Sequence, residues 1–589
     1  MEPRQKVGQI VFTNKARCRD CYRCVRVCPV KAIRMSGGQA FVDADRCIAC
    51  GTCIRECPQG AKSFRRDLDR VVRLLESGAK VAASVAPSFA GVLPPWQASR
   101  LPSILRRLGF CHVAETAIGA YHVACKTAEA AAQRPGAPCV CTACPAVVNF
   151  VERYHPEWVR MLAPVVSPMI AHARRIKAKL GSDVKVVFIG PCVAKKAEAE
   201  RPELAGDVDA VITFEELAEW LEGQGLSLAA CEESRFDEEA AGLARLFPLE
   251  GGLIRTAEMP SQLLAPRVVC VSGFDEVVDA LAFAHQDRQA VVIEPLMCPQ
   301  GCINGPAVAS EQRLYHRRED LIDYAAANPG PPDQPRTEGL DTAFAGRPVD
   351  EHEPIDEDQI RAVMEKTGKA HEEDQLNCGA CGYASCREKA IAVIRGLAEP
   401  EMCIPYMKRL AEQRTDRIIE TTPNGIVILD ERLNIVSMNP AFRKFFLCSA
   451  SFCGKNISYL MDPELFEKLV SGQEERVEMV VRHEKYKLIC HQILYALREE
   501  KKFIGIFVNI TNSRLSQDRL EQFQADTVSQ ARELLEHQIG MAQRIAAFLG
   551  ESTARGQQLV DNLMRLGGQP PETTTEKSGR WPWDIHTSK

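Results

Sequence analysis

Cys18, Cys21, Cys24 and Cys28-Pro29 spell C-x2-C-x2-C-x3-C-P, and Cys47, Cys50, Cys53 and Cys57-Pro58 spell it a second time. No other feature limits so strongly what this chain can fold into. Three thiolates at that spacing wrap one 4Fe–4S cubane, and the fourth, ahead of proline, reaches across to the other cluster. Soft sulfur ligands suit such a cubane. A pair of zinc sites is the alternative, and two complete copies ending in Cys-Pro stand against it. Between the copies, AIRMSGGQAFVDADRC offers a Gly-Gly turn flanked by short alternating strands. Two clusters held in one short domain make an electron wire, without yet saying what is wired.

The remaining cysteines sharpen the question. The chain has 589 residues and 25 cysteines, 46% hydrophobic and 26% charged residues. About four domains are expected at ~150 residues each. A net charge of -5 and a pI near 6.2 give no nucleic-acid footprint. MEPRQKVGQIVFTNKARCRD lacks the apolar centre of a secretory signal, and VAASVAPSFAGVLPPW is too short and proline-broken to span a bilayer. A cytoplasmic protein with clustered metal ligation is therefore expected, rather than a disulfide scaffold.

A second type of site lies downstream in NCGACGYASCREKAIAVIRGLAEPEMCIP. There Cys378, Cys381, Cys386 and Cys403 give C-x2-C-x4-C-x16-C. Glycines let the backbone curl, and REKAIAVIRGLAE reads as a helix carrying the chain to the fourth ligand. It resembles a small 4Fe–4S module of anaerobic electron-transfer proteins; zinc is the alternative. The middle cysteines form no local quartet. Cys144 lies in CTACPAVVNF, Cys192 in VVFIGPCVAKKAE, and Cys298 and Cys302 in VVIEPLMCPQGCINGPA. The last two segments read as apolar strands broken by proline and glycine. Ligands drawn from strand ends at the carboxyl edge of an α/β sheet would gather into one site. Buried structural thiols are the plainer alternative.

With those residues in view, the first part of the chain resembles the iron-only (FeFe) hydrogenase family over roughly residues 1 to 325. The family's three signatures match Cys141-Thr142-Ala143-Cys144-Pro145, Gly190-Pro191-Cys192-Val193-Ala194-Lys195-Lys196-Ala197-Glu198 and Glu294-Pro295-Leu296-Met297-Cys298-Pro299-Gln300-Gly301-Cys302. The resemblance implies that Cys144, Cys192, Cys298 and Cys302 hold the cubane of an H-cluster. Cys302 would also bridge to a diiron subsite carrying CO, cyanide and azadithiolate. Lys195 would donate to a cyanide, with Glu198 completing its motif; an ammonium meeting an anionic acceptor makes a strong hydrogen bond. The departures are informative too. Ala143 occupies the place of the proton-shuttling cysteine, and a methyl group neither donates nor accepts a proton. Lys126 and Thr127 fall about where a relay glutamate would lie, with Glu115 and Glu129 offset from it. Leu296 stands where a methionine packs over the bridging carbonyl. These changes keep ligation and weaken turnover.

Beyond the cysteine-rich region the chain changes character. Residues 412–512 include GIVILDERLNIVSMN, two strands about a turn, and RVEMVVRHEKYKLICHQILYAL and KKFIGIFVNITN, both alternating. They resemble a PAS domain, a sensory or dimerising module. Its His483, His491, Cys448, Cys453 and Cys490 read as core and surface residues rather than as a haem or metal site. Val528, Leu535, Ala542 and Leu549 repeat at heptad spacing, predicting a coiled coil, with a single bundle helix as the alternative.

The expected fold class is thus multidomain, α/β and α+β. Residues 1–68 form a ferredoxin-like domain for two 4Fe–4S clusters, 69–326 an α/β H-cluster domain, 327–365 a Pro/Gly-rich linker and 366–411 a small 4Fe–4S domain. The PAS domain, a helical output segment at 513–566 and a disordered tail at 567–589 follow. The order suggests a slow, sensory FeFe hydrogenase interconverting H2 with protons and electrons. Expected partners are a ferredoxin-like electron carrier, a phosphatase or kinase as output, maturation proteins for the diiron subsite, and a second copy through the PAS–helix segment. Two rivals stand beside it: a catalytic ferredoxin-linked hydrogenase, and a non-enzymatic iron–sulfur redox sensor without the diiron subsite.

Overall fold

The computed structural model describes residues 8–238, 242–259, 268–287, 291–308, 310–327, 334–349, 354–498, 500–511 and 541. The coiled coil and tail expected at 513–566 and 567–589 lie outside the described residues, apart from Met541. The chain divides into two compact units, Met1–Leu410 and Ala411–Lys589, each considered by itself. Among the described residues no helix is long and apolar enough to cross a membrane.

The N-terminal part of the first unit is a folded repeat. Val11–Thr13 pairs antiparallel with Lys62–Phe64, and Ile33–Ser36 with Gln39–Val42, closing the hairpin around the Gly-Gly turn. The repeat extends to backbone torsions. Asp20, Tyr22 and Lys31 hold φ of 57°, 55° and 49°; Ala49, Gly51 and Gly60, one repeat later, hold 57°, 76° and 55°. Left-handed conformations cost ~1–2 kcal/mol for a non-glycine residue, so four of them outside regular structure need a common purpose. They curl the chain around the two sulfur-lined spaces.

The central region carries two parallel sheets. In one, His112–Glu115, Val81–Val85, Lys185–Gly190 and Ala210–Thr213 lie side by side in that order. In the other, Val268–Ser272, Val292–Leu296 and Cys139–Val140 do so. The strands are apolar runs because helices cover both faces of a parallel sheet. Three of them run into cysteine segments: Gly190 into Pro191-Cys192, Leu296 into Met297-Cys298, and Val140 toward Cys144. Helix Pro145–Tyr154, opening directly after Cys144, docks on the N-terminal repeat. Arg153 Nη1 donates to the carbonyls of Ala44, Asp45 and Cys47 at 3.2, 3.0 and 2.6 Å, and Tyr154 Oη to that of Arg46 at 2.6 Å. At this contact Gly51 is required for a second reason. A Cβ there would lie 2.4 Å from Pro306 Cγ and 3.1 Å from Val193 Cγ2.

The stretch expected as a linker is more structured than its composition suggests. Its described residues 334–349 lie along the central region: Val166 N–H donates to the Leu340 carbonyl at 2.9 Å and Arg347 N–H to that of Glu152 at 2.8 Å. Residues Glu357–Lys366 are helical and pack Ile360 and Met364 against Ala390 of the third cysteine module. Apolar residues at helical spacing, following an Asp356 cap, override the acidic composition. In that module the helix is Cys386–Ile394, shorter than REKAIAVIRGLAE implied, because Gly396 at φ 67° turns the chain out of it.

The second unit has one five-stranded antiparallel sheet, ordered Ile435–Met438, Gly425–Leu429, Lys502–Asn509, Leu488–Leu497, Arg476–His483. Phe442, Phe446, Phe466 and Phe507 fill its core. Asn439 fixes one edge, accepting from Phe442 N–H and Ile426 N–H at 2.9 and 2.8 Å and donating to two carbonyls.

Candidate functional site

The sulfurs of the repeat sort into two groups, and the sorting crosses the sequence. Cys18, Cys21, Cys24 and Cys57 line one cavity of about 350 Å³. Cys28 instead lies with Cys47, Cys50 and Cys53. Burial pushes the Cys28 thiol up to about 11, with Cys50 adding to the shift, and the Cys47 thiol up to about 12, with Cys50 and Cys28 adding. Matching backbone donors serve the two crossed ligands: Ala32 N–H reaches Cys28 Sγ at 3.2 Å and Ala61 N–H reaches Cys57 Sγ at 3.3 Å. N–H donors to ligand sulfur are among the levers that set a cluster's potential.

The central quartet gathers as strand-end geometry requires. Burial raises the Cys192 thiol to about 11, with Cys144 adding and Lys195 opposing. Burial also raises Cys298 and Cys302 strongly; Cys302, Cys192 and Cys144 act on the first, and Cys144 and Cys192 on the second. Three desolvated thiols with Cys144 in electrostatic reach of each would be costly as bare thiolates. They fit a polynuclear cation that takes their protons away. Cys144 also acts on Cys50, so the central site and the Cys28-containing group face each other.

Lys195 stands beside this quartet. Its ammonium donates to Glu198 Oε2 at 2.7 Å and to the Ala143 carbonyl at 3.2 Å, and its charge acts on both Cys192 and Cys302. Lys195 and its helical neighbour Glu198 thus share one locale with Ala143, which lies far from them in sequence. Leu296 is 5% exposed at the end of its strand. The residues in the place of a relay glutamate are occupied otherwise. Lys126 pairs with Asp341 at 3.2 Å, and Thr127 Oγ1 donates back to the Val123 carbonyl of its own helix. Glu115 is buried against Arg245 and Tyr324.

The third quartet, Cys378, Cys381, Cys386 and Cys403, lines a cavity of about 500 Å³ together with Lys389. Among the described residues no three Cys, His, Asp or Glu side chains converge on a single ion-sized point. Two of the quartets each line a space of their own, which suits a cubane with one thiolate per iron.

Comparison with known proteins agrees with this geometry segment by segment. Residues 79–306 match the family described as iron only hydrogenase large subunit, C-terminal domain. Those residues resemble an iron-only hydrogenase domain. Flanking it, residues 10–58 match the 4Fe-4S dicluster domain, 374–405 an Fe-S cluster family and 413–480 the PAS domain. The chain is 27% identical over 387 residues to the NADP-reducing hydrogenase subunit HndD of Solidesulfovibrio fructosivorans, covering 56% of this chain and 60% of that one. It is 27% identical over 394 residues to the periplasmic [Fe] hydrogenase large subunit of Nitratidesulfovibrio vulgaris, covering 54% of this chain and 93% of that one. It is also 25% identical over 278 residues to a probable cytosolic Fe-S cluster assembly factor, oxy-4, of Caenorhabditis elegans, covering 38% and 61%. The chain therefore spans less than two thirds of the first of these relatives.

Sequence reasoning missed part of the hydrogenase domain's machinery. Glu294 opens the third signature, yet its carboxylate does structural work. It accepts from Leu253 N–H and Ile254 N–H at 3.0 and 3.1 Å, and burial raises it to about 7. A cavity of about 310 Å³ is lined by Thr142, Ser167, Glu198, Arg201 and Thr342 among others. Its polar residues come from four separate segments, so no local motif marks it. In the PAS domain, His483 meets Gln492 at 2.6 Å and His491 pairs with Glu478 at 3.1 Å, while Cys490 lies in the hydrophobic core.

Proposed function

We propose that this chain is a sensory FeFe hydrogenase of low turnover, which reports hydrogen or redox state through its iron–sulfur sites to the PAS domain and from there to a signalling partner. The observation that carries the reading is the contrast at one locale. Lys195, Glu198 and the four ligand cysteines are assembled, and Ala143, whose carbonyl Lys195 holds, brings only a methyl group. The residues present fit a cubane on Cys144, Cys192, Cys298 and Cys302, with Cys302 also serving a diiron subsite. That subsite, when bound, supplies the chemistry that parts H2 into two protons and two electrons.

The chain's own residues then do the following. Lys195 offers N–H donors to an anionic ligand, and Glu198 fixes its ammonium in place. Cys144 faces Cys50, giving electrons a way into the dicluster domain. At residue 143 no group takes up or returns a proton, so the general acid–base step that ordinarily adds 10²–10⁴-fold is missing. An enzyme selected for flux would keep it; a sensor needs only a change of oxidation state. The output is a phosphatase or kinase partner, with a second copy engaged through the PAS–helix segment.

Ala143→Cys in protein matured with the diiron cofactor is expected to raise hydrogen oxidation by at least tenfold; unchanged rates would sink the argument from the missing relay. Infrared spectra decide the cofactor itself, since CO and cyanide stretches must appear. A second reading has one specific support, the 25% identity to an assembly factor. In that reading the central quartet holds a cubane alone, and the infrared bands are absent after maturation.

A further inference from the structure

We infer that the iron–sulfur site of Cys378, Cys381, Cys386 and Cys403 exchanges electrons directly with the cluster held by Cys28, Cys47, Cys50 and Cys53, which gives that cluster a third redox neighbour beside its twin in the dicluster domain and the central site. The inference rests on the reading of both segments as cluster-binding and is independent of any hydrogen chemistry.

The contact is built at the backbone level. Arg26 Nη1 donates to the Ala380 carbonyl at 3.1 Å, and Lys31 Nζ to the Gly382 carbonyl at 2.7 Å. The same ammonium also reaches the carbonyls of Val25 and Arg26 at 3.2 and 3.3 Å. Lys31 therefore ties the short helix Arg23–Val27, which precedes Cys28, to the loop that follows Cys381. Gly382, at φ 95°, approaches so closely that a Cβ would lie 2.8 Å from Val25 Cγ1 and 3.1 Å from Arg26 N. Further along, Met35 N–H donates to the Leu397 carbonyl at 2.9 Å, and Glu399 accepts from Gly37 N–H at 2.6 Å. A loose tether would need none of these.

The side chain placed in this seam is Tyr383, 4% exposed, with a buried hydroxyl that has no partner among the described residues. The Cys381 and Cys28 thiols both act on Tyr383, and both act on Lys31. The two ligand sets thus share the same two neighbours. Cys28 in turn belongs with Cys50, the thiol facing Cys144. One electron leaving the central site would reduce the Cys28-held cluster, and its onward transfer would reoxidise that cluster and reduce the third. Lys31 acts as a positioning residue that holds the seam closed.

The test uses the full chain reconstituted anaerobically with iron and sulfide and without a diiron subsite, so the failure of the hydrogenase reading would leave it untouched. The third cluster's paramagnetic resonance signal is assigned by its loss in Cys381→Ser. Its line width and microwave power saturation are then followed through a reductive titration. The expected result is a broadened, faster-relaxing signal once the Cys28-held cluster is also reduced. Gly382→Val should abolish that change while iron content holds, and Lys31→Met should do the same if the valine variant loses iron. A third-cluster signal that saturates identically whichever state the Cys28-held cluster is in overturns the inference. So does an iron content unchanged by Cys381→Ser.

Discussion

Lys195 and Lys196 are adjacent, identical and opposed in duty. Lys195 faces the ligand quartet, whereas the Lys196 ammonium is fully buried between Glu216 at 2.9 Å, Asp67 at 3.2 Å and the Val211 carbonyl at 2.7 Å. Lys196→Met would leave Glu216 buried without its partner, a change that typically costs ~3–5 kcal/mol. The loss should appear in anaerobic urea denaturation with cluster spectra unchanged before unfolding. The family signature names the first lysine, but nothing in Lys195-Lys196 itself says which of the two turns inward. His172 is a second residue whose role appears only in the fold. Burial above all, with His112, Arg175 and His122 adding and Glu238 opposing, lowers it to about 3, and Ser84 Oγ meets its Nδ1 at 2.7 Å. Because the folded value lies below the ordinary 6.5, its contribution is complete above pH 6.5 and is lost as pH falls toward 3. From pH 6.5 to 5 the protein should lose about 2 kcal/mol through this group. His172→Gln should flatten that slope in denaturation curves measured at both pH values; an unaltered slope would assign it to other groups.

At the scale of elements, the strand ends were readable and the seams were not. VVFIG and VVIEPL are β-branched runs stopped by proline, and a parallel sheet then delivers Cys192 and Cys298 to one edge. The five-stranded sheet of the second unit was equally legible, since every second residue from Leu488 to Leu494 is buried. Seams depend on pairs of residues far apart in sequence, which carry no periodic signal. Gly51 is the clearest case: it reads as a turn glycine of a cysteine loop, and only the fold shows Pro306 against it. Gly51→Val should push the dicluster domain away from Pro306 and Val193, with an overpacking cost of ~1–3 kcal/mol. Limited proteolysis between residues 60 and 80 should then accelerate, and both clusters should still form. The segment 327–365 taught the converse lesson. Proline, glycine and acid dominate it, yet helix Glu357–Lys366 emerges because Ile360 and Met364 share one face.

For the whole molecule, sixteen cysteines fall into four groups, and each group should carry about four irons, ~16 per chain before any diiron subsite is added. Iron analysis of Cys378→Ser should fall by about four; a smaller drop, or none, would return that site to the zinc alternative. Cys403, the last ligand, immediately precedes helix Ile404–Thr421, through which the chain passes into the PAS domain. The remaining consequence lies at the other end of the chain, in the exchange of Cys28 and Cys57 between the two halves of the repeat. Each half lends a ligand to its twin's cluster, so neither half can mature alone. Iron loading there should be all-or-none, with half-filled chains scarce at limiting iron, because the first cluster to form already draws both halves together and pre-shapes the second.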